Sequence, residues 1–69
     1  MSKKGEYVID HWYFFRHAEV CKKRYRADTL EEAKERLDKL VSLGTTSRVR
    51  ISKQGMGRRL SVISVWQAP

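Results

Sequence analysis

The stretch DTLEEAKERLDKLVSLG, residues 28–44, decides the fold because it predicts a helix on which the rest of the chain can pack. Thr29 is a favourable N-cap, and Glu32, three residues later, can reach back to the amide of the cap in a capping box. Apolar residues then recur with the 3.6-residue period of a helix that buries one side. With Gly44 as the left-handed residue after the last turn, we predict a helix over residues 30–43. The apolar stripe consists of Leu30, Ala33, Leu37, Leu40 and Val41.

The segments on both sides of this helix favour β-strands, because they are rich in aromatic and β-branched residues or alternate polar with apolar residues. The first two are joined near residues 16–18, and the last two by residues 53–58, whose two glycines suit a turn. We predict the α+β class, with a single small domain of order ββαββ in which one helix packs on one face of an antiparallel sheet. The predicted strands are residues 7–15, 19–26, 48–53 and 60–66.

The first strand is aromatic on both sides, so a charged residue decides which side is buried. Burying Asp10 costs far more than burying a neutral His11, and we therefore expect the odd-numbered residues to face the helix. In an antiparallel hairpin with Phe15 opposite Glu19, Asp10 would lie opposite Arg24 on the outer side. This register pairs opposite charges outside and apolar groups inside.

The formal net charge of +7 over 69 residues is unevenly distributed. Residues 28–44 hold five acids and three bases, whereas the rest of the chain holds three acids and twelve bases. The positive charge therefore lies outside the helix and favours a polyanionic partner, with a well-solvated basic surface as the alternative. We expect residues 1–5 to form a basic N-terminal tail and residues 6–67 a single domain.

Hydropathy and cysteine content indicate a cytoplasmic protein without membrane association. The longest apolar run, residues 12–15, is far shorter than the roughly 20 residues that span a bilayer. The five residues before the first patterned segment are too few for the apolar stretch of a signal peptide. A single cysteine, Cys21, cannot form an internal disulfide, which fits a reducing compartment.

The sheet face opposite the helix is the predicted binding site, because one helix covers only one face of four strands. We expect aromatic rings among cations there, an arrangement that suits single-stranded nucleic acid, whose bases stack on rings and whose phosphates contact cations. The basic loop before the last strand could also touch a phosphate, although its glycines fit a turn better than a phosphate-cradling loop. The candidate residues for nucleic-acid or partner binding are Trp12, Phe14, Lys22, Arg24, Arg26, Arg48, Arg50, Lys53, Arg58 and Arg59.

Two other interpretations of these residues stay open at the level of sequence. Trp12 and Phe14 could point into the core, which would leave the arginines as solubilising residues at the rim. Alternatively, the aromatic rings could be exposed and become buried in a homodimer or against another protein.

Catalytic and metal-binding patterns are weak in this chain. His11, His17 and Cys21 lack the paired spacing of a tetrahedral metal site. His17 lies near basic residues that would suit RNA cleavage, but nothing in the sequence places a second acid or base opposite it. We therefore expect a non-catalytic protein that uses no cofactor.

The stretch YRADTLEEAKERLDKLVSLGTTSRVRIS, residues 25–52, resembles a pattern in small phage-encoded proteins, in which a strand leads into a TLEEA-type helix, a glycine and an RVR-like strand. Host-takeover inhibitors of RNA polymerase and some anti-CRISPR proteins share this hairpin–helix–hairpin layout. The resemblance implies a non-catalytic protein that binds a nucleoprotein machine and blocks or redirects it, with or without direct nucleic-acid contact. Many such inhibitors are acidic DNA mimics, and the charge of +7 departs from that pattern.

Overall fold

The computed structural model describes residues 5–16, 19–57 and 59–69, and this part of the chain forms four strands and one helix. The strands make one antiparallel sheet in the order β2-β1-β3-β4, so the two hairpins lie side by side with β1 next to β3. The predicted α+β class and the ββαββ order are confirmed. The elements are β1 (Tyr7–Phe15), β2 (Glu19–Ala27), α1 (Leu30–Ser42), β3 (Thr46–Gln54) and β4 (Leu60–Gln67).

The caps of α1 largely follow the prediction. Thr29 has an extended backbone, and its hydroxyl oxygen accepts a 3.2 Å hydrogen bond from the Glu32 amide. The Glu32 carboxylate accepts from the amide of Asp28 at 3.1 Å, one residue before the predicted donor. At the other end Gly44 has φ +80°, the left-handed conformation expected there.

The length of α1 bears on membrane association. At 13 residues it is shorter than the roughly 20 that a bilayer-spanning helix requires. Within the described ranges, no helix is both long and apolar enough to cross a membrane.

The register of the β1–β2 hairpin is the one predicted from the charge pattern. Phe15 lies opposite Glu19, and Asp10 lies opposite Arg24. Odd-numbered β1 residues face α1, as shown by Ile9, which is fully buried in the core. Of the predicted turn, residues 17 and 18 lie outside the described residues.

The core lies between α1 and one face of the sheet. Ile9, Val49 and Ile51 from the sheet pack with Ala33 and Leu40 of the helix, and each of the five is at most 6% exposed. The period of the helix and the alternation of β3 thus bring their apolar sides together. Partly buried side chains complete the cluster: Tyr7, Tyr25, Leu30, Leu37 and Trp66.

The second hairpin differs in two respects from the sequence-based prediction. β3 is three residues longer than predicted, because it begins at Thr46 and ends at Gln54. Its pairing with β4 shifts between Ile51 and Ser52, which leaves Ile63 as an extra residue in β4 and forms a bulge. β4 and β2 form the two edges of the sheet.

Candidate nucleic-acid interface

The sheet face opposite α1, here called the open face, carries the even-numbered side chains of β1 and β2 and those of β3 from Arg48 onward. β1 lies between β2 and β3, so the cations of these two strands form rows on both sides of it. Neighbouring cations in a row are about 6.6 Å apart along the strand, and the rows are roughly 10 Å apart. Seven predicted site residues lie on this face: Trp12, Phe14, Lys22, Arg24, Arg26, Arg48 and Arg50.

A buried carboxylate organises the centre of the open face. Asp10 is 0% exposed, and its Oδ1 accepts a 2.9 Å hydrogen bond from Arg24 Nε. Its Oδ2 accepts a 2.9 Å bond from Arg50 Nη2, and Lys22 Nζ lies 3.9 Å from Oδ1. A guanidinium has five N–H donors, so each arginine keeps further donors beyond the one that Asp10 accepts. Asp10 therefore holds arginines from both flanking strands while leaving them able to bind an anion.

The charge of this cluster stays positive at neutral pH. Burial raises the pKa of Asp10, but hydrogen bonds from Arg24 and Arg50 and the positive charges of Arg24 and Lys22 outweigh burial. The net result is a pKa below the ordinary value of 3.8, so the carboxylate is ionised. Three cations against one carboxylate leave a local charge of +2.

The Trp12 ring is surrounded by cations rather than free for stacking. Lys22 Nζ lies 5.1 Å from its centroid, Arg48 Cζ 5.1 Å and Arg50 Cζ 5.3 Å, all within cation–π range. Lys22 approaches from β2 and the two arginines from β3. A base that stacked on this ring would compete with these cations, so the ring's evident role is to position them. The alternative that Trp12 points into the core is wrong, because it lies on the face away from α1.

Phe14 is the more accessible aromatic ring of the open face. It is 45% exposed and lies opposite Val20, which is 53% exposed, near the end of the β1–β2 hairpin. The next residue, Phe15, is 49% exposed but points to the other side of the sheet, with Arg16 Cζ 5.2 Å from its centroid. Adjacent phenylalanines of similar exposure thus belong to opposite faces.

The remaining predicted site residues are not part of this cluster. Lys53 lies within β3, which continues to Gln54, and its odd position places it on the helix-facing side opposite Tyr7 rather than on the open face. There its Nζ lies 3.8 Å from Glu6 Oε1. Arg59 is exposed in the β3–β4 turn, and Arg58 lies outside the described residues.

Arg26 closes the far end of the open face through contacts that the sequence did not reveal. Its Nη1 donates to Gly5 O at 3.1 Å and to Gln54 Oε1 at 2.9 Å. Gly5 has φ +76°, and a Cβ there would lie 2.8 Å from Arg26 Cδ, so both backbone and space favour glycine. The Gly5 amide donates to Asp28 Oδ1 at 2.7 Å, which ties this residue to the domain. In the sequence, the only sign of this contact was a glycine directly before the first strand.

His11 is a structural residue on the opposite face. It is 3% exposed, and its Nε2 lies 2.8 Å from Thr46 Oγ1, whose hydroxyl donates to the carbonyl of Leu40. Because the Thr46 proton is used there, Nε2 is the donor in this contact. Burial, then the charge of Lys23, lowers the His11 pKa from 6.5. Among the described residues, no group of three potential ligands could hold a metal ion.

Comparisons of the chain with models of protein families, with curated proteins and with solved structures found no match. The open face is therefore interpreted from its own chemistry. Its distinguishing features are two rows of cations, a buried carboxylate that orients them, and an exposed aromatic ring at one end.

Proposed function

We propose that this protein is a small, basic, non-catalytic module that binds nucleic acid, single-stranded in preference, through the open face. The observation that carries the proposal is the arrangement of arginines around Asp10 and Trp12. Hydrogen bonds and cation–π contacts orient these side chains before any partner arrives. Side chains that are already ordered lose less conformational entropy on binding.

The distribution of charge supports this choice of face. Five cations against one carboxylate leave the open face with a net charge of +4 (Lys22, Arg24, Arg26, Arg48, Arg50 and Asp10). Residues 28–44, which include α1, carry five acids against three bases on the other side of the molecule. A polyanion is thus attracted to one side and repelled by the other, which orients its approach.

Single-stranded nucleic acid fits this surface better than a duplex does. Its bases can unstack and lie against an aromatic ring, while the backbone follows a row of cations. Phe14 offers such a ring at the end of the cation rows. A nucleoprotein complex that exposes a single strand is the partner that the resemblance to phage-encoded inhibitors adds to the proposal.

The test is a salt series with labelled single-stranded DNA, single-stranded RNA and duplex DNA of the same sequence, read by fluorescence anisotropy. We expect binding to both single strands to exceed binding to the duplex. The logarithm of affinity should fall linearly with the logarithm of salt concentration, by about 0.7 per phosphate contacted. Absence of measurable binding to any oligonucleotide at about 50 mM salt would reject the proposal.

A second candidate function is a protein-binding inhibitor or modulator that makes no direct nucleic-acid contact. The observation in its favour is the apolar pair at the end of the β1–β2 hairpin, where Phe14 and Val20 lie opposite each other on the open face and are 45% and 53% exposed. Contiguous exposed apolar surface is typical of protein-binding sites. This candidate requires negligible oligonucleotide affinity at physiological salt, so the same salt series separates the two functions.

A further inference from the structure

The two edge strands of the sheet differ sharply in charge. Exposed edges offer unpaired backbone groups to other strands, and natural proteins usually protect them with charged side chains, lysine above all. β4 has no charged residue in its eight positions. β2, by contrast, carries protecting charges: four of its nine residues are cations, namely Lys22, Lys23, Arg24 and Arg26.

β4 is also apolar and exposed. α1 packs on β1, β2 and β3, which leaves β4 outside the cover of the helix. Trp66 is the β4 side chain that packs against the core. The exposed apolar residues of the strand are Leu60, Val62, Ile63 and Val65, at 37%, 57%, 44% and 47%.

The bulge in β4 does not protect this edge. Bulges can twist an edge strand away from partners, and they commonly do so together with a charge. Here the extra residue is Ile63, so the bulge adds an apolar side chain to the edge. In the described residues no strand pairs with the outer side of β4.

We propose that β4 pairs antiparallel with β4 of a second copy of this chain, which joins the two sheets into one of eight strands. A two-fold axis makes such an edge complementary to itself, so a second copy satisfies it without any other partner. No like charges face each other across the pair, because β4 has none. Self-pairing of β2 would instead place its cations against one another.

The net charge of +7 on each copy opposes association only weakly in this geometry. The nearest rows of cations, Arg48 and Arg50 in each copy, would be separated by three strand spacings, about 14 Å. This separation exceeds the Debye length of about 8 Å at physiological ionic strength. Arg59 precedes β4, so antiparallel pairing places the two copies of this residue at opposite ends of the interface.

The two-fold axis of such a pair is perpendicular to the sheet, so both copies of α1 lie on one side and both open faces on the other. Dimerisation does not depend on the proposed function, since it uses a different strand and can occur without any nucleic acid. Where both hold, two cation clusters lie on one continuous surface.

Sedimentation velocity on the full chain, over a series of protein and salt concentrations, tests the proposal. We expect a monomer–dimer equilibrium that shifts toward dimer as salt is added, because screening reduces the repulsion between copies. Val65→Lys places a charge at the edge and should abolish the dimer. Val20→Lys is the matched control, because it makes the same change at a similarly exposed site on the other edge strand and should leave the dimer intact.

Two results would overturn the proposal: a parent chain that stays monomeric throughout, or a dimer that is lost with Val20→Lys and kept with Val65→Lys. Amide hydrogen exchange on the unmodified protein tests the same pairing without relying on the variants to fold. Outward-facing amides of β4 should become more protected as protein concentration rises, whereas those of β2 should not. Equal behaviour of the two edges would contradict pairing at β4.

Discussion

Asp10 of β1 lies opposite Arg50 of β3, and Arg50 Nη2 donates a 2.9 Å hydrogen bond to Asp10 Oδ2. On the other side of β1, Arg24 Nε donates to Oδ1 of the same carboxylate at 2.9 Å. One buried acid thus links the central pair of strands to β2 and orients guanidinium groups on the open face. The stability of the sheet and the geometry of the proposed interface therefore depend on the same residue.

Asp10→Asn should destabilise the protein, because the cations around this position lose their counter-ion while the volume stays the same. We expect the free energy of unfolding to fall by about 2–3 kcal/mol. The loss is smaller than for a wholly buried ion pair, since the Arg24 side chain is 44% exposed. Chemical denaturation gives the value.

The matched control for this change is Asp38→Asn, which removes a carboxylate from the exposed side of α1. It should change the free energy of unfolding by less than about 0.5 kcal/mol. Equal effects of the two substitutions would show that the Asp10 cluster does not stabilise the fold.

The β1–β2 register could be predicted from the sequence because one charged residue restricted the choice. With Asp10 kept off the apolar side that packs on α1, the parity of β1 followed, and opposite charges then selected Arg24 as its partner. The expectation that Asp10 would escape burial was wrong, because Lys22, Arg24 and Arg50 cover it on the open face. The helix could be predicted equally well, since Thr29 and Gly44 mark its ends through local backbone preferences. For the β1–β2 hairpin and α1, the charges, the helix caps and the hydrophobic period were enough to predict the structure.

The centre of the candidate site could not be predicted in the same way. It depends on β1 pairing with β3, a contact between segments 40 residues apart at Asp10 and Arg50. The alternation of β3 predicts the correct face for Arg50, but it does not predict the order of the strands and therefore gives no link between Arg50 and Asp10. The prediction that bases stack on Trp12 was wrong for the same reason, because the cations beside its ring come from both neighbouring strands. The place of Lys53 could have been predicted, because the alternation of β3 puts this residue on the same side as Val49 and Ile51.

The buried His11 should make stability depend on pH near neutrality. Its pKa is lowered in the folded state by burial and then by Lys23, so the unfolded chain binds the proton more readily. Stability is therefore highest above the unfolded value of 6.5 and decreases as pH falls from there toward the folded pKa. Thermal unfolding at pH values between about 7.5 and 5.5 should show a falling midpoint.

Substituting each histidine in turn shows which of the two causes this pH dependence of stability. His11→Gln keeps a donor toward Thr46 but removes the titrating group, so the midpoint should change little over that pH range. His17→Gln, which replaces the other histidine of the chain, should keep the dependence of the parent. If His11→Gln retained the full dependence, the buried imidazole would not be its source.

Phe14 and Phe15 provide a matched pair for base stacking, because adjacent rings of 45% and 49% exposure lie on opposite faces. Phe14→Ala should weaken binding to a single-stranded oligonucleotide by about 1–3 kcal/mol, with the salt dependence unchanged because no phosphate contact is lost. Phe15→Ala should leave affinity close to that of the parent. Equal losses would argue against stacking on the open face.

The most direct test of the central claim compares two β3 cations that lie on opposite faces of the sheet, Arg48 on the open face and Lys53 on the helix-facing side. Each of Arg48→Ala and Lys53→Ala removes one positive charge from the same strand. The quantity measured is the slope of log affinity against log salt concentration for a single-stranded oligonucleotide. If the open face is the interface, Arg48→Ala should flatten the slope by about 0.7 and Lys53→Ala should leave it unchanged. Equal slopes for the two variants, whether both flattened or both unchanged, would contradict the claim that nucleic acid binds the open face.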